Sequence, residues 1–229
     1  MDRPHIICHM LVSYNNKISG SFMFSPEAAG LIADYGHLDR EFAAEAWLCG
    51  KTTMEEFTGG KQPDIVDNKK LPHEDFVAQK NAEQYVVVTD AKGEISYEKA
   101  YLERGGRKSY IIELLTEKAG VSYLAYLRKL GISYIFAGEE ELDLQLAMRK
   151  LKSLFGIKLL ISHGGGYTNG ALLRAGLIDE LSLVKVPLIE EGRNAVSLFG
   201  EGEIPQLLFE LVITQKLKNG GEWLRYLIK

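Results

Sequence analysis

The chain has 229 residues, with 27 basic and 31 acidic side chains and a formal net charge of −4. A composition of 46% hydrophobic and 25% charged residues is that of a globular protein with its own buried core, and excludes disorder or low complexity as the main theme. No basic stripe points to nucleic acid as a partner, and no apolar run approaches the roughly 20 residues of a membrane helix.

One large domain over residues 1–229 is the expectation from length. Met1 to His5 is not expected to be a leader, because the apolar run after it stops at polar Ser13-Tyr14-Asn15-Asn16. That run, Ile6 to Val12, is broken only by His9 and reads as a strand covered on both faces. Ser25-Pro26-Glu27 opens a helix: serine as cap, proline at the first helical position, an acid in the first turn. Further strand-like runs are Ala46 to Cys49, Gln84 to Thr89, Ser109 to Ile112, Ile132 to Ala137, Ile157 to Ile161 and Leu181 to Val186. Between them lie helical stripes over Val121 to Leu130 and Leu142 to Phe155, and a short helix from Ala171 to Ala175. Gly59 to Glu74 is polar, contains two prolines and reads as a long loop. Arg104-Gly105-Gly106-Arg107-Lys108 reads as a solvated basic turn. Strands alternating with helices predict an α/β fold with a mostly parallel twisted sheet. The tail differs: Leu207 to Leu217 and Glu222 to Ile228 flank Asn219-Gly220, which predicts an antiparallel C-terminal hairpin. Cys8 and Cys49 sit in apolar runs and are too few for a disulfide framework, which fits a reducing, cytoplasmic setting.

The segment richest in chemistry is Leu159-Leu160-Ile161-Ser162-His163-Gly164-Gly165-Gly166, followed by Tyr167-Thr168-Asn169-Gly170. A buried strand runs into three glycines and then into a helix. Glycine lets backbone approach a ligand, and the first amides of the helix carry the positive end of its dipole, which makes an anion site. One glycine would suffice for a plain turn. The loop is not a P-loop, since no Gly-Lys-Ser/Thr follows, and it comes too late in the chain for the first unit of a Rossmann fold. A second candidate is Gly50-Lys51-Thr52-Thr53, where Thr52 or Thr53 caps a helix through Phe57 and Lys51 offers a point charge to a phosphate.

His163 suits proton donation or phosphate pairing, and equally a hydrogen bond to a neighbouring turn. Asn15 and Asn16 read as turn residues or as amides that meet a substrate. His5 and His9 are four apart in a strand, roughly 13 Å, too far to share one metal ion; no metal is expected. Asp179-Glu180 marks the start of a strand.

Three segments resemble the reductase domain of riboflavin biosynthesis, the RibD C-terminal-like reductases of the dihydrofolate-reductase-like superfamily. Arg3-Pro4 with Ser13 to Ile18 is similar to the opening R-P…S-L-D-G-K-I. Leu48 to Thr53 is similar to the G-x-x-T turn. His163 to Asn169-Gly170, then Gly176 to Leu181 and Pro187, is similar to E-G-G-G-x-x-N-G…G-L-I-D-E-L…P. The resemblance implies an NADPH-dependent reductase of a small heterocycle, riboflavin-precursor-like or pteridine-like. In it Gly50, Lys51, Thr52 and Thr53 and the loop Gly164, Gly165, Gly166, Tyr167 and Thr168 would hold the cofactor. Lys51 would face the 2′-phosphate and Thr89 the adenosine end. Substrate would meet Ser13, Asn15, Asn16, His163 and Asn169. The chain departs from the pattern at Asn15 for Asp, Asn16 for Gly and His163 for Glu, so both carboxylates beside the substrate are gone. His163 then stands as proton donor and Asn15 as orienting amide, the two expected catalytic residues. The resemblance also implies a homodimer paired through its sheets, with Leu207 to Ile213 as an edge. No deaminase half is expected, since the zinc signature H-x-E…P-C-x-x-C is absent. The alternatives are a dihydrofolate reductase proper, with Glu27 on the pterin, and a nucleotide-binding module without catalysis.

Overall fold

A computed structural model describes residues 2–63, 65, 71–104 and 106–229. The loop expected over Gly59 to Glu74 and the basic turn at Gly105 fall partly outside them. In chain order the elements are β1 (His5–Val12), a 3-10 turn (Ser21–Phe24), α1 (Pro26–Glu41), β2 (Ala46–Gly50), α2 (Lys51–Thr58), β3 (Gln84–Thr89), β4 (Tyr101–Arg104) and β5 (Arg107–Leu115). There follow α3 (Val121–Leu130), β6 (Ser133–Phe136), α4 (Leu144–Phe155), β7 (Leu159–Gly164), α5 (Gly166–Arg174), β8 (Glu180–Lys185), β9 (Phe209–Lys216) and β10 (Glu222–Ile228).

The chain divides into two compact units. The first runs from Glu45 to Leu160, with the residues up to Pro4. Its strands order as β4-β5-β3-β2. β2, β3, β5 and β6 are parallel, and β4 runs antiparallel to β5. β4 pairs with the first half of β5 and β6 with the second, so both use one edge of that strand. Arg104 at the end of β4 lies opposite Arg107 at the start of β5. Val86, Val87 and Val88 have no exposed surface, as a continuous apolar run in a parallel sheet requires. α2 packs on β2 and β3, and α3 and α4 pack on β6. α4 begins two residues later than the apolar stripe suggests, because the Asp143 side chain accepts the Leu146 amide (2.9 Å) as its cap.

The second unit holds His5–Ala44 and Ile161–Lys229. Its strands order as β7-β1-β8-β10-β9. β1 and β8 are parallel, with His9 beside Ser182; β8 and β10, and β10 and β9, are antiparallel. The hairpin expected from Asn219-Gly220 is thus present. α1 opens as its sequence predicts: Ser25 accepts the Ala28 amide (3.1 Å) and Pro26 stands first. It covers β1 and β8 through Ala28, Leu31 and Leu38, packed against Leu11, Val184 and Val186. β7 reaches past Ile161 to Gly164, and α5 starts at Gly166, inside the glycine loop, rather than at Ala171.

Candidate active site

In the second unit β7 carries Ser162 and His163 just before its last residue, Gly164, and a strand's alternation sends them to opposite faces. Ser162 is fully buried and donates to the Asn169 side-chain oxygen (2.8 Å). Asn169, also fully buried, donates in turn to the Leu198 carbonyl (3.1 Å). Asn169 is therefore a brace between β7, α5 and the loop at residues 196–200, not a surface that meets a substrate. The three glycines are likewise shaped by this packing. A Cβ on Gly164 would lie 2.3 Å from the Asn169 amide, and one on Gly166 would lie 2.5 Å from the Ser197 carbonyl oxygen. Gly165 has φ 94° and ψ 150°, a backbone region that is essentially glycine's own, and a Cβ built there meets nothing within 4 Å. Gly165 is the N-cap of α5 and no side chain caps it, so the first amides, at Gly166, Tyr167 and Thr168, have no side-chain partner; Gly166 is buried, Tyr167 exposed. Helix α3 starts on Gly120 in the same way, so open amides alone do not mark a site. The distinguishing feature of α5 is its place at the end of a buried strand beside an ionisable pair.

That pair is His163 with Asp39. The imidazole Nε2 lies 2.7 Å from Asp39 Oδ1, with His163 11% and Asp39 28% exposed. A carboxylate accepts, so Nε2 donates its proton to it. Asp39 stands in the last turn of α1, one turn after Tyr35, whose ring centroid is 6.1 Å from the imidazole. Sequence reading found His163 but neither Asp39 nor Tyr35; their four-residue spacing on one helix face is the signal it held.

A second imidazole, His9, packs behind Tyr35 with ring centroids 4.3 Å apart and planes within 5°. Its Nε2 faces the Tyr35 carbonyl (3.1 Å), which can only accept, so Nε2 carries the hydrogen. Nδ1 then accepts from the Ser182 hydroxyl (2.9 Å), and Ser182 accepts from the Trp223 indole (2.8 Å). Every group is satisfied with His9 neutral, and burial pulls its pKa down to about 4. His9 thus has no proton to give near neutrality. It ties β1 to α1, helped by the Tyr35 hydroxyl on the His9 carbonyl (3.2 Å).

The exit of β1 is a closed brace. Ser13 is buried and donates to Asn15 Oδ1 (2.7 Å). The same oxygen accepts the Glu190 amide (3.1 Å), while Asn15 Nδ2 donates to the Glu190 carbonyl (2.9 Å). The Glu190 carboxylate accepts from Phe22 N (3.0 Å), the Ser21 hydroxyl (2.9 Å) and Gly192 N (2.7 Å). These donors hold its carboxyl below the usual range. Asn16 takes φ 60°, the left-handed turn conformation, and accepts from Lys185 Nζ (3.1 Å). The turn-building role fits both asparagines, and Glu190 is the loop residue that sequence reasoning missed.

In the first unit β2 ends at Gly50, which is itself the uncapped N-cap of α2. Thr52 and Thr53 lie in the first turn and cap nothing, a correction to the expected cap; the helix starts at Lys51 because Gly50 already takes the extended conformation of a cap. Lys51 Nζ bonds the Glu94 carboxylate and lies 3.7 Å from Glu55. Thr89 closes β3, and the next residue, Asp90, is 2% exposed and accepts the amides of Glu94 (2.6 Å) and Ile95 (2.9 Å). Burial pushes the Asp90 carboxyl up. Behind it Glu113 is fully buried, accepts the Tyr97 and Tyr123 hydroxyls, and is driven well above the carboxylate range by desolvation. An open cleft of about 550 Å³ runs between Glu56–Gly59 and residues 97–103; none of the expected site residues lines it. Among the described residues no cluster of three or more His, Cys, Asp or Glu could hold a metal, and no helix is long and apolar enough to cross a membrane.

Comparison with known proteins places these features in a family. A 2,5-diamino-6-ribosylamino-4(3H)-pyrimidinone 5′-phosphate reductase of Methanothermobacter thermautotrophicus is 36% identical over 89 residues, 38% of this chain and 40% of that protein. The Aquifex aeolicus protein of the same name is 33% identical over 85 residues, 37% of this chain and 38% of its own length. The matched stretch thus spans about two fifths of these relatives. A pyrimidine reductase-like protein from Corynebacterium diphtheriae superposes with a TM-score of 0.71 at 18% identity, over 99% of this chain and 92% of that one. The fold is the dihydrofolate-reductase-like α/β architecture that the three motifs implied. Residues 14–221 match the RibD C-terminal domain, and the chain belongs to that family.

Proposed function

We propose that this chain is an NADPH-dependent reductase of a small heterocyclic substrate of the pyrimidinone phosphate class, built as one reductase domain of the RibD C-terminal type. The observation that carries the reading is the His163–Asp39 pair at the end of β7, one residue before a loop that opens on uncapped helix amides. The residues fit the cofactor's anionic part: a Cβ on Gly165 would meet nothing within 4 Å and Tyr167 is exposed, so a phosphate oxygen can approach the amides of Tyr167 and Thr168. The nicotinamide supplies hydride. On this chain's side, α5 orients the phosphate.

Hydride addition leaves negative charge on the substrate, and the group that meets it is the His163 imidazole, kept in one orientation by Asp39. Asn15 and Asn16 shape the loop beside the β1 exit, and Asn15 retains one amide hydrogen for a substrate carbonyl. Leu208, Phe209, Leu211 and Val212 are all more than a third exposed on or beside edge strand β9, which supports a homodimer paired along that edge. Two buried thiols, Cys8 and Cys49, both raised by burial to about 12, suit a reducing cytoplasm.

The test is consumption of NADPH by the purified chain with a diaminopyrimidinone ribosyl phosphate, with dihydrofolate as the competing substrate. Turnover of the pyrimidinone supports the reading; turnover of dihydrofolate alone moves the chain to the folate branch; nucleotide binding without turnover makes it a binding module.

A further inference from the structure

Lys51 does not stand open to receive a phosphate. Its ammonium is bonded to Glu94, and Glu55, one turn along α2, lies 3.7 Å away. Glu94 is not a chance neighbour on a loose loop. The carboxylate of Asp90, almost fully buried, accepts the backbone amides of Glu94 and Ile95 and so fixes the turn from which Glu94 projects. The position also suits an anion. Lys51 is the first residue of α2, which has no side-chain cap, so a carboxylate there faces both an ammonium and the positive end of a helix dipole.

We propose that Glu94 is a specificity-determining residue for the cofactor: its carboxylate occupies, on Lys51, the place of the 2′-phosphate of NADPH and competes with it. This rests on the reading of the Gly50–Thr53 turn as the adenosine phosphate site. The 2′-phosphate must displace Glu94 and then lie beside a carboxylate, whereas the 2′-hydroxyl of NADH asks for neither. The ion pair is half exposed, so displacement is cheap and NADPH still binds. The consequence is a narrow margin between the two nucleotides in the natural sequence.

Glu94→Gln removes the competing charge and keeps the size and the backbone bonds of residue 94. Titration calorimetry of the full chain with NADPH, NADH and the probes adenosine 2′,5′-bisphosphate and 5′-AMP reads the effect. The expected result is about fivefold tighter binding of NADPH and of the bisphosphate, with NADH and 5′-AMP unchanged, an effect of the size that exposed charge pairs have. Adding Lys51→Met to that variant should remove the gain. If Glu94→Gln leaves NADPH affinity unchanged, or tightens both nucleotides equally, the role of Glu94 is overturned while the cofactor reading stands. If the natural sequence binds neither nucleotide, the cofactor reading is overturned as well.

Discussion

His9 should make the second unit less stable on acidification. The imidazole is fully buried, neutral, and bonded on both nitrogens, Nε2 to the Tyr35 carbonyl and Nδ1 to the Ser182 hydroxyl. Its pKa in the fold is about 4, against 6.5 for a free histidine. The sign follows from linkage: between these values the unfolded chain binds a proton that the folded chain refuses, so stability is full above pH 6.5 and falls as pH drops toward 4. The whole gap corresponds to about 3 kcal/mol, of which about 2 kcal/mol is lost between pH 7 and pH 5. The other four histidines each lie beside a carboxylate, so the wild-type slope mixes several groups. The difference between the parent and His9→Gln isolates His9. Urea unfolding followed by tryptophan fluorescence, at pH 7 and at pH 5, gives both slopes. His9→Gln should be less stable at pH 7 and lose about 2 kcal/mol less than the parent on acidification. Equal losses in the two proteins would refute the buried neutral imidazole.

The remaining predictions concern the candidate site and the assembly. Gly165→Val should abolish the thermal shift on adding NADPH and lower stability by about 1–3 kcal/mol without ligand, since the backbone at 165 is strained for any other residue; an unchanged shift would clear α5 of cofactor binding. His163→Gln should cut turnover roughly 100-fold with little change in NADPH affinity, and Asp39→Asn should cut it less and move the pH–rate profile. A profile in Asp39→Asn that is the same as the parent's would separate the aspartate from the chemistry. Leu211→Glu, at a position 48% exposed, should leave the fold intact and convert a dimer to a monomer in light scattering; a parent that is already monomeric at micromolar concentration counts against the β9 pairing.

The sequence is legible where a single local rule governs. Ser25 and Pro26 announce the start of α1, continuous valines announce β3, and Asn219-Gly220 announces the last hairpin. It is misleading where one rule hides another. Glycines look like the end of structure, yet α5 begins on them, because Asn169 and the loop at 196–200 need backbone in close contact. β4 is short and charged, and becomes a strand only because β5 offers it an edge. The glycine loop and His163 were visible as motifs. Their partners were not: Asp39 reaches His163 across 124 positions of sequence, and Glu190 meets Asn15 across 175. Long-range pairs of this kind leave no period or spacing to read. Nor does the sequence tell a neutral histidine in a core from one beside a carboxylate; only the partners of His9 and His163 distinguish them.

The glycine loop is, for the same reasons, a poor witness to activity among related chains. Gly164 and Gly166 are held by steric contact with Asn169 and Ser197, and Gly165 by its backbone angles, so selection for folding alone preserves all three. A duplicated copy that had stopped turning over substrate would keep the motif intact. His163 and Asp39 are under no such obligation: both reach solvent, and neither fills the core. Divergence of chemistry within the family should therefore be written at those two positions while the three glycines stay silent.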